Sequence, residues 1–272
     1  VDRSEEVIDR FLSSLARQTY RNFELIVVDQ NKDDRLNNVI ENYASKFSIT
    51  HIKSDKGLSK SRNYGIEYVN GDIVAFPDDD CCYSETLLEE VIRLLNSNSK
   101  IDGITGRSVD HKGLDTVNKF SKDSGFIDRI NVWQRCTSIS IFLRKHVIEQ
   151  VGCFDENIGA GADTIYGSGE EVDYLIRTLD NGFLIYYSRD IQVYHPNPLL
   201  ECNKEIMTKA FIYGCGAGYV VRKNKYGFKY KVRILIRPIG GAVLSICRFK
   251  VRKASYHWHI FCGRLKGLSS VE

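Results

Sequence analysis

The sequence predicts an α/β fold, a mostly parallel sheet flanked by helices, followed by a basic helical extension. Three observations carry this expectation. Helix-period and strand-like segments alternate along the first 200 residues, the pattern left by crossover connections. The apolar run at 73–76 stops abruptly at Asp78-Asp79-Asp80, and ligands of open α/β sheets sit at the carboxyl ends of strands. Residues 219–272 hold 13 Lys or Arg against a single acid, whereas the rest of the chain holds 25 basic and 34 acidic residues.

Taken in order, Val7, Ile8, Phe11, Leu12 and Leu15 fall at helical spacing and predict an amphipathic first helix. Glu24–Asp29 is a continuous apolar run between two acids, as expected of a strand buried on both faces. Leu36, Val39, Ile40, Tyr43 and Phe47 mark a second helix, followed by a short strand at 49–52, a helix over 58–69 and the strand at 73–76. Residues 137–143 read as a strand, and Lys145–Val151 as a short helix stopped by Gly152. A loop containing Gly159, Gly161, Gly167 and Gly169 leads into a helix over 170–181 that ends at Gly182. Two short strands, 184–187 and 191–194, complete the body, the second running into His195-Pro196. Beyond Pro198 the pattern turns helical and basic, so a boundary near residue 200 separates a domain of 1–200 from an extension of 201–272.

With 272 residues and 43% hydrophobic content the chain can bury a sizeable core. Its eight cysteines form no C-x-x-C pair and keep no regular spacing, which predicts reduced thiols rather than a disulfide framework. The first ten residues are charged and no apolar h-region follows, so no signal peptide is expected. No run approaches the ~20 apolar residues of a membrane span. These features predict a cytoplasmic protein whose basic tail meets an anionic partner. Residues 234–247, apolar and flanked by Arg and Lys, suit a segment lying in a membrane interface. The partner is therefore read as an anionic membrane surface, with the protein peripheral on the inner face of the cell membrane. No nucleic acid is expected, because the tail matches no binding module.

Three constellations carry chemistry. Three adjacent carboxylates repel one another, and a divalent cation bearing a diphosphate would reverse that repulsion. On a strand, side-chain alternation would put Asp78 and Asp80 on one face and Asp79 on the other. The loop leading to Glu170 and Glu171 delivers paired carboxylates to a helix start, which suits a general base and also complements the helix dipole. His195 follows a strand and is either structural or a further metal ligand. Three other features are weaker. Gly214-Cys215-Gly216-Ala217-Gly218 follows a helical stretch and has no acid ~20 residues on, so it reads as close helix packing rather than a dinucleotide loop. His257 and His259 are poorly placed for a shared metal. Trp133 and Arg135 either line an acceptor groove or pack.

Five ordered segments carry a family resemblance: Val27-Val28-Asp29, Gly57-Leu58-Ser59-Lys60-Ser61-Arg62-Asn63-Tyr64-Gly65, Gly71-Asp72-Ile73-Val74-Ala75-Phe76-Pro77-Asp78-Asp79-Asp80, Gly152-Cys153-Phe154-Asp155-Glu156, and Gly169-Glu170-Glu171-Val172-Asp173-Tyr174-Leu175-Ile176-Arg177. Over residues 1 to about 200 the chain resembles the family 2 glycosyltransferases of GT-A fold, and its tail is similar to bacterial members that make capsule or O-antigen polysaccharide. The resemblance implies a metal-dependent, inverting transferase that moves sugar from a nucleotide-sugar donor, UDP-linked, to a glycan or glycolipid acceptor. It implies that Asp29 contacts uracil, that Arg62, Asn63, Asp78 and Asp79 line the nucleotide, and that Asp78, Asp80 and His195 hold Mn²⁺ or Mg²⁺. Glu171 stands at the base position, where the family usually has Asp, and Glu170 competes for the role. The family's first strand would precede Val1, and a piece lacking it is expected to bind nucleotide weakly. Two rivals stand beside this reading: a nucleotidyltransferase, and a non-catalytic membrane-associated subunit that keeps the fold.

Overall fold

The structure is a computed structural model that describes residues 5–196 and 204–270. Contacts divide it into two compact units, one built from 5–56, 61–153 and 174–196, the other from 57–60, 154–173 and 204–270. The boundary expected near residue 200 lies outside the described residues, and the second unit takes in 57–60 and 154–173 as well as the tail.

The first unit opens with α1 (Glu5–Ala16), β1 (Glu24–Asp29), α2 (Asn37–Ala44) and β2 (Ser48–Lys53). Strands β1 and β2 pair in parallel from Glu24 opposite Ser48 to Asp29 opposite Lys53. A six-stranded sheet follows, ordered β3-β7-β5-β8-β4 with β6 beside β8. Its strands are β3 (Ile73–Ala75), β4 (Cys82–Tyr83), β5 (Gly103–Val109), β6 (Gly125–Phe126), β7 (Ile141–Arg144) and β8 (Ile185–Tyr194). The core gathers Ile8, Phe11, Leu12 and Leu15 of α1 with Ile104, Phe142, Ile191 and Val193 of the sheet. Helix α4 (Leu87–Ser97) adds Leu87, Val91 and Leu95, spaced at four residues and each buried. Each such side chain contributes roughly 1.5–3 kcal/mol on leaving water.

The α/β class and the central sheet agree with expectation, but the pairing is mixed rather than mostly parallel. Among the described residues β1·β2 and β5·β8 are parallel, whereas β3·β7, β4·β8, β5·β7 and β6·β8 are antiparallel. Apolar periodicity reports that a strand is buried, not which way it runs. The two strands expected at 184–187 and 191–194 are one element, β8, in which the polar Ser188-Arg189-Asp190 leave the ladder as a bulge. Between the pairs Thr105–Tyr187 and Arg107–Gln192, β5 advances two residues and β8 five. Residues 137–143 begin as a turn of 3₁₀ helix, Ser138–Ser140, and become strand only at Ile141. The remaining helices of this unit are α3 (Leu58–Ile66), α5 (Lys145–Val151) and α6 (Glu170–Asp180), the first residues of α3 and α6 belonging to the second unit.

In the second unit α7 (Lys204–Lys223), α8 (Phe228–Cys247) and α9 (Val251–Ser269) pack together. The contact of α7 with α9 is backbone on backbone, as Gly214 and Gly218 face Gly263 and Gly267. A Cβ on Gly218 would lie 2.3 Å from the Arg264 carbonyl oxygen, and one on Gly263 would lie 2.2 Å from that of Phe211. Gly216 points to the other side of α7, where its Cβ would meet the Ser168 carbonyl oxygen at 2.1 Å. The glycine run is thus a packing device, as its context predicts. Gly218→Ala or Gly263→Ala forces the two helices apart and is expected to cost about 1–3 kcal/mol in urea unfolding. Gly240→Ala on the exposed side of α8, where a Cβ meets nothing, should instead stabilise by about 0.5–1 kcal/mol.

Candidate active site

The first unit assembles the acidic run. Strand β3 ends at Ala75, so Asp78, Asp79 and Asp80 lie in the following loop and turn, not on a strand. Alternation therefore does not apply to them. Pro77 lacks an N–H for a ladder, and three like charges oppose extension of the strand. Their placement comes instead from β4, which starts two residues on. Cys82 pairs with Tyr194 and Tyr83 with Val193, antiparallel. Continuing that register brings the residues before β4 beside those after β8, and Asp80 Oδ1 lies 3.3 Å from His195 Nε2. Both side chains are mostly buried. The Asp80 carboxylate raises the proton affinity of His195 above that of an ordinary imidazole, against the opposite effect of burial, and the imidazole Nδ1 is within hydrogen-bond reach of the Pro196 carbonyl oxygen.

Asp78 faces Arg62, whose Nη2 lies 3.4 Å from Asp78 Oδ1. Arg62 is buried on α3, so its guanidinium is a fixed positive charge beside the acidic loop. Asn63 follows it on the same helix, and Asp79 stands half-buried between the other two acids. Asp29, at the end of β1, sits among neighbours that occupy both of its oxygens. Lys53 reaches Oδ2 at 2.8 Å and His51 lies 3.1 Å from it, while the Asn31 backbone N–H donates to Oδ1 at 2.8 Å. Burial by itself would raise this carboxyl, but those donors outweigh it and hold Asp29 below the usual range. Its side chain organises the loop after β1 and is closed to solvent.

The second unit holds the paired glutamates. Glu170 is buried, and its carboxylate lies against Gly159, where a Cβ would come within 3.2 Å of Oε2. Glu171, next along α6, is only half-buried. Lys223 at the end of α7 bonds Asp155 at 2.7 Å and the fully buried Asp173 at 2.9 Å, and Asn224 Nδ2 donates to Asp173 at 2.8 Å. This network ties the start of α6 and the Phe154-Asp155 segment to α7. Nothing local in the sequence pointed to it, since Lys223 is one cation among the thirteen of the tail. In the first unit Arg177 donates to the carbonyls of Val151 at 3.0 Å and Cys153 at 2.8 Å. It closes the end of α5, giving a structural role to Arg177, six residues after Glu171.

A divalent cation fits the acidic loop only with help. Among the described residues no three His, Cys, Asp or Glu side chains are grouped closely enough to hold an ion by themselves. Hard cations are nevertheless commonly held by one or two carboxylates with the remaining ligands from substrate phosphates, and imidazole is an acceptable partner. Asp80 with His195, and Asp78 adjacent, supply such a partial set.

A sequence profile described as Glycosyl transferase family 2 matches residues 2–150. The chain belongs to this family. Among its relatives it is 26% identical to Glycosyltransferase AglE of Haloferax volcanii over 204 residues, covering 70% of this chain and 63% of AglE. It therefore spans less than two thirds of that relative's length. Two solved structures share the fold. Mannosyltransferase PcManGT of Pyrobaculum calidifontis, in complex with GDP-Man and Mn²⁺, superposes with a TM-score of 0.64 at 13% identity, covering 99% of this chain and 85% of PcManGT. S. aureus TarS 1-349 in complex with UDP-GlcNAc gives 0.58 at 16% identity, covering 94% and 87%. The GT-A fold of this family 2 member is thereby established.

The Lys223 network has a measurable consequence. Burial alone would raise the Asp155 carboxyl, yet Lys223 holds it below its ordinary value. A depressed carboxyl contributes stability above its unfolded pKa and loses it as pH falls through its native value. Lys223→Met leaves Asp173 buried without its cation and is expected to destabilise by about 2–4 kcal/mol. With Lys223 gone the Asp155 carboxyl is no longer held down by its cation. The deficit relative to the parent should therefore be largest at neutral pH and shrink as pH falls into the carboxylate range, as read by urea unfolding followed by circular dichroism at neutral and acidic pH.

Proposed function

We propose that the protein is an inverting transferase that moves a sugar from a nucleotide-diphosphate donor, a UDP-sugar, to a hydroxyl of a growing lipid-linked polysaccharide at the cytoplasmic face of the membrane. The observation that carries this is the Asp80–His195 pair beside Asp78, at strand ends of a GT-A fold. Asp78, Asp80 and His195 would hold Mn²⁺ or Mg²⁺, while Arg62, Asn63 and Asp79 would line the nucleotide. Asp29 would act at the uracil end through the loop it braces. When bound, the cation supplies positive charge against the diphosphate.

Glu171 is assigned as the base, because it is half-buried where Glu170 is packed against Gly159. In the reaction the acceptor hydroxyl oxygen bonds to the anomeric carbon and gives its proton to the Glu171 carboxylate. The bond from that carbon to the donor phosphate oxygen breaks, and UDP departs with the electron pair. Attack opposite the leaving group inverts the configuration.

The membrane part of this reading is supported by the tail. No helix among the described residues is long and apolar enough to cross a bilayer. Helix α8 instead exposes Ile236, Ile239, Val243 and Ile246, at spacings that share one side of a helix. Basic residues near an anionic leaflet contribute about 1 kcal/mol each, so a fraction of the thirteen suffices for reversible association.

Glu171→Gln should lower transfer about 10²–10⁴-fold while UDP affinity in Mn²⁺ stays unchanged. Unaltered transfer would move the role to Glu170. With Asp78→Asn and Asp80→Asn combined, donor affinity measured by calorimetry should fall and lose its sensitivity to chelator. Affinity indifferent to both treatments would overturn the metal-assisted reading, and release of pyrophosphate in place of UDP would point to nucleotidyl transfer.

A further inference from the structure

The turn between α8 and α9 breaks two local rules at one residue. After Cys247 the Phe249 N–H donates to the Ile246 carbonyl at 2.9 Å and the Lys250 N–H to the Ser245 carbonyl at 2.8 Å. These are the paired bonds of a Schellman cap, whose left-handed position is normally glycine. Here that position is Phe249, with φ at 55°. A side chain in this conformation is strained, because its Cβ crowds the following carbonyl. The residue is also 93% exposed, the highest value among the large apolar residues. The cap would close as well or better with glycine, and the ring is not covered by protein. A strained, uncovered aromatic at a rigid turn indicates a role outside the fold.

Its surroundings identify the occupant. Ile246 and Val251 flank it, at 61% and 73% exposure. Arg248, Lys250, Arg252 and Lys253 are all exposed, and residues 246–253 include no acid. The apolar stripe on α8 runs into this turn at Ile246. Apolar side chains set among cations at an exposed turn complement a surface with anionic headgroups over hydrocarbon.

We propose that the α8–α9 turn enters an anionic lipid leaflet, with Phe249 as the inserted side chain and Arg248, Lys250, Arg252 and Lys253 at the headgroups. This rests on the membrane-face reading above and gives it a point of attachment.

The test is cosedimentation of the full chain with phosphatidylcholine vesicles, with and without phosphatidylglycerol, alongside thermal melts and light scattering. The parent should sediment with the phosphatidylglycerol vesicles alone. Phe249→Gly should bind them about tenfold more weakly, as loss of a partly buried aromatic implies, while its melting midpoint holds or rises by about 2 °C. Arg248→Gln with Lys250→Gln should weaken binding by about twentyfold and flatten its salt dependence. If the parent binds and Phe249→Gly binds as tightly, the turn is not the attachment point, although the membrane reading survives. If the parent binds neither vesicle, that reading falls and this assignment with it. A lower melting midpoint in Phe249→Gly would make the ring structural, and a dimer that the variant dissolves would give the turn to a second copy; either result overturns the proposal.

Discussion

The antiparallel pairing of β4 with β8 is the constraint on which the candidate donor site depends. It is only two residues long on the β4 side, yet it joins positions more than a hundred residues apart. The acidic loop precedes β4 and His195 follows β8, so one register places a carboxylate and an imidazole side by side. A one-residue slip would turn every side chain of the short strand to the opposite face and separate them. Two neighbours hold the register. Tyr83 is buried at the pairing itself, and its backbone N–H donates to Ser14 Oγ at 3.2 Å, anchoring the strand to α1. On the other flank the His195 N–H donates to the Val109 carbonyl at 2.9 Å. Electrostatics then works on a fixed frame. Arg62 offsets Asp78, and Asp80 raises the proton affinity of His195, so the two outer acids of the run each face a different partner.

The second unit is organised by a different principle. Its helices meet where side chains are absent, and polar networks secure the rest. Lys223 draws two carboxylates to the end of α7, while Gly216 lets the Ser168 backbone rest on the middle of the same helix. One helix thereby positions the segment that leads into Glu170 and Glu171 from two separate points. Asp173, wholly enclosed, makes that arrangement intolerant of losing its cation.

Much of this architecture is readable from residue order, and the unreadable parts share physical causes. Helices α1 and α2 stand out because their buried residues recur at helical spacing, and α6 because Gly182 stops it. Strand direction does not, because burial on two faces erases the alternation that would distinguish pairing modes. The polar Ser188-Arg189-Asp190 within β8 looks like a break because it is a local one: β8 bulges out of register with β5 there and re-pairs at Gln192, and a polar run does not say whether the strand resumes. The acidic triplet reads as a strand continuation because charge repulsion and the missing Pro77 donor are weaker signals than the apolar run before them. Asp78, Asp80 and His195 could be picked out by residue type and by resemblance. Lys223 with Asp155 and Asp173, and Arg177 with the end of α5, could not, because pairing across long separations writes no local pattern.

The glycine faces of α7 and α9 carry one more implication. Most helix contacts in water are held by the expulsion of solvent from apolar side chains, and they loosen once hydrocarbon replaces that solvent. Backbones at van der Waals distance are held by dispersion and shape, neither of which depends on the surrounding medium. The seam between these two helices is therefore equally serviceable wet or dry, and a body clasped in this way can change its environment without changing its form.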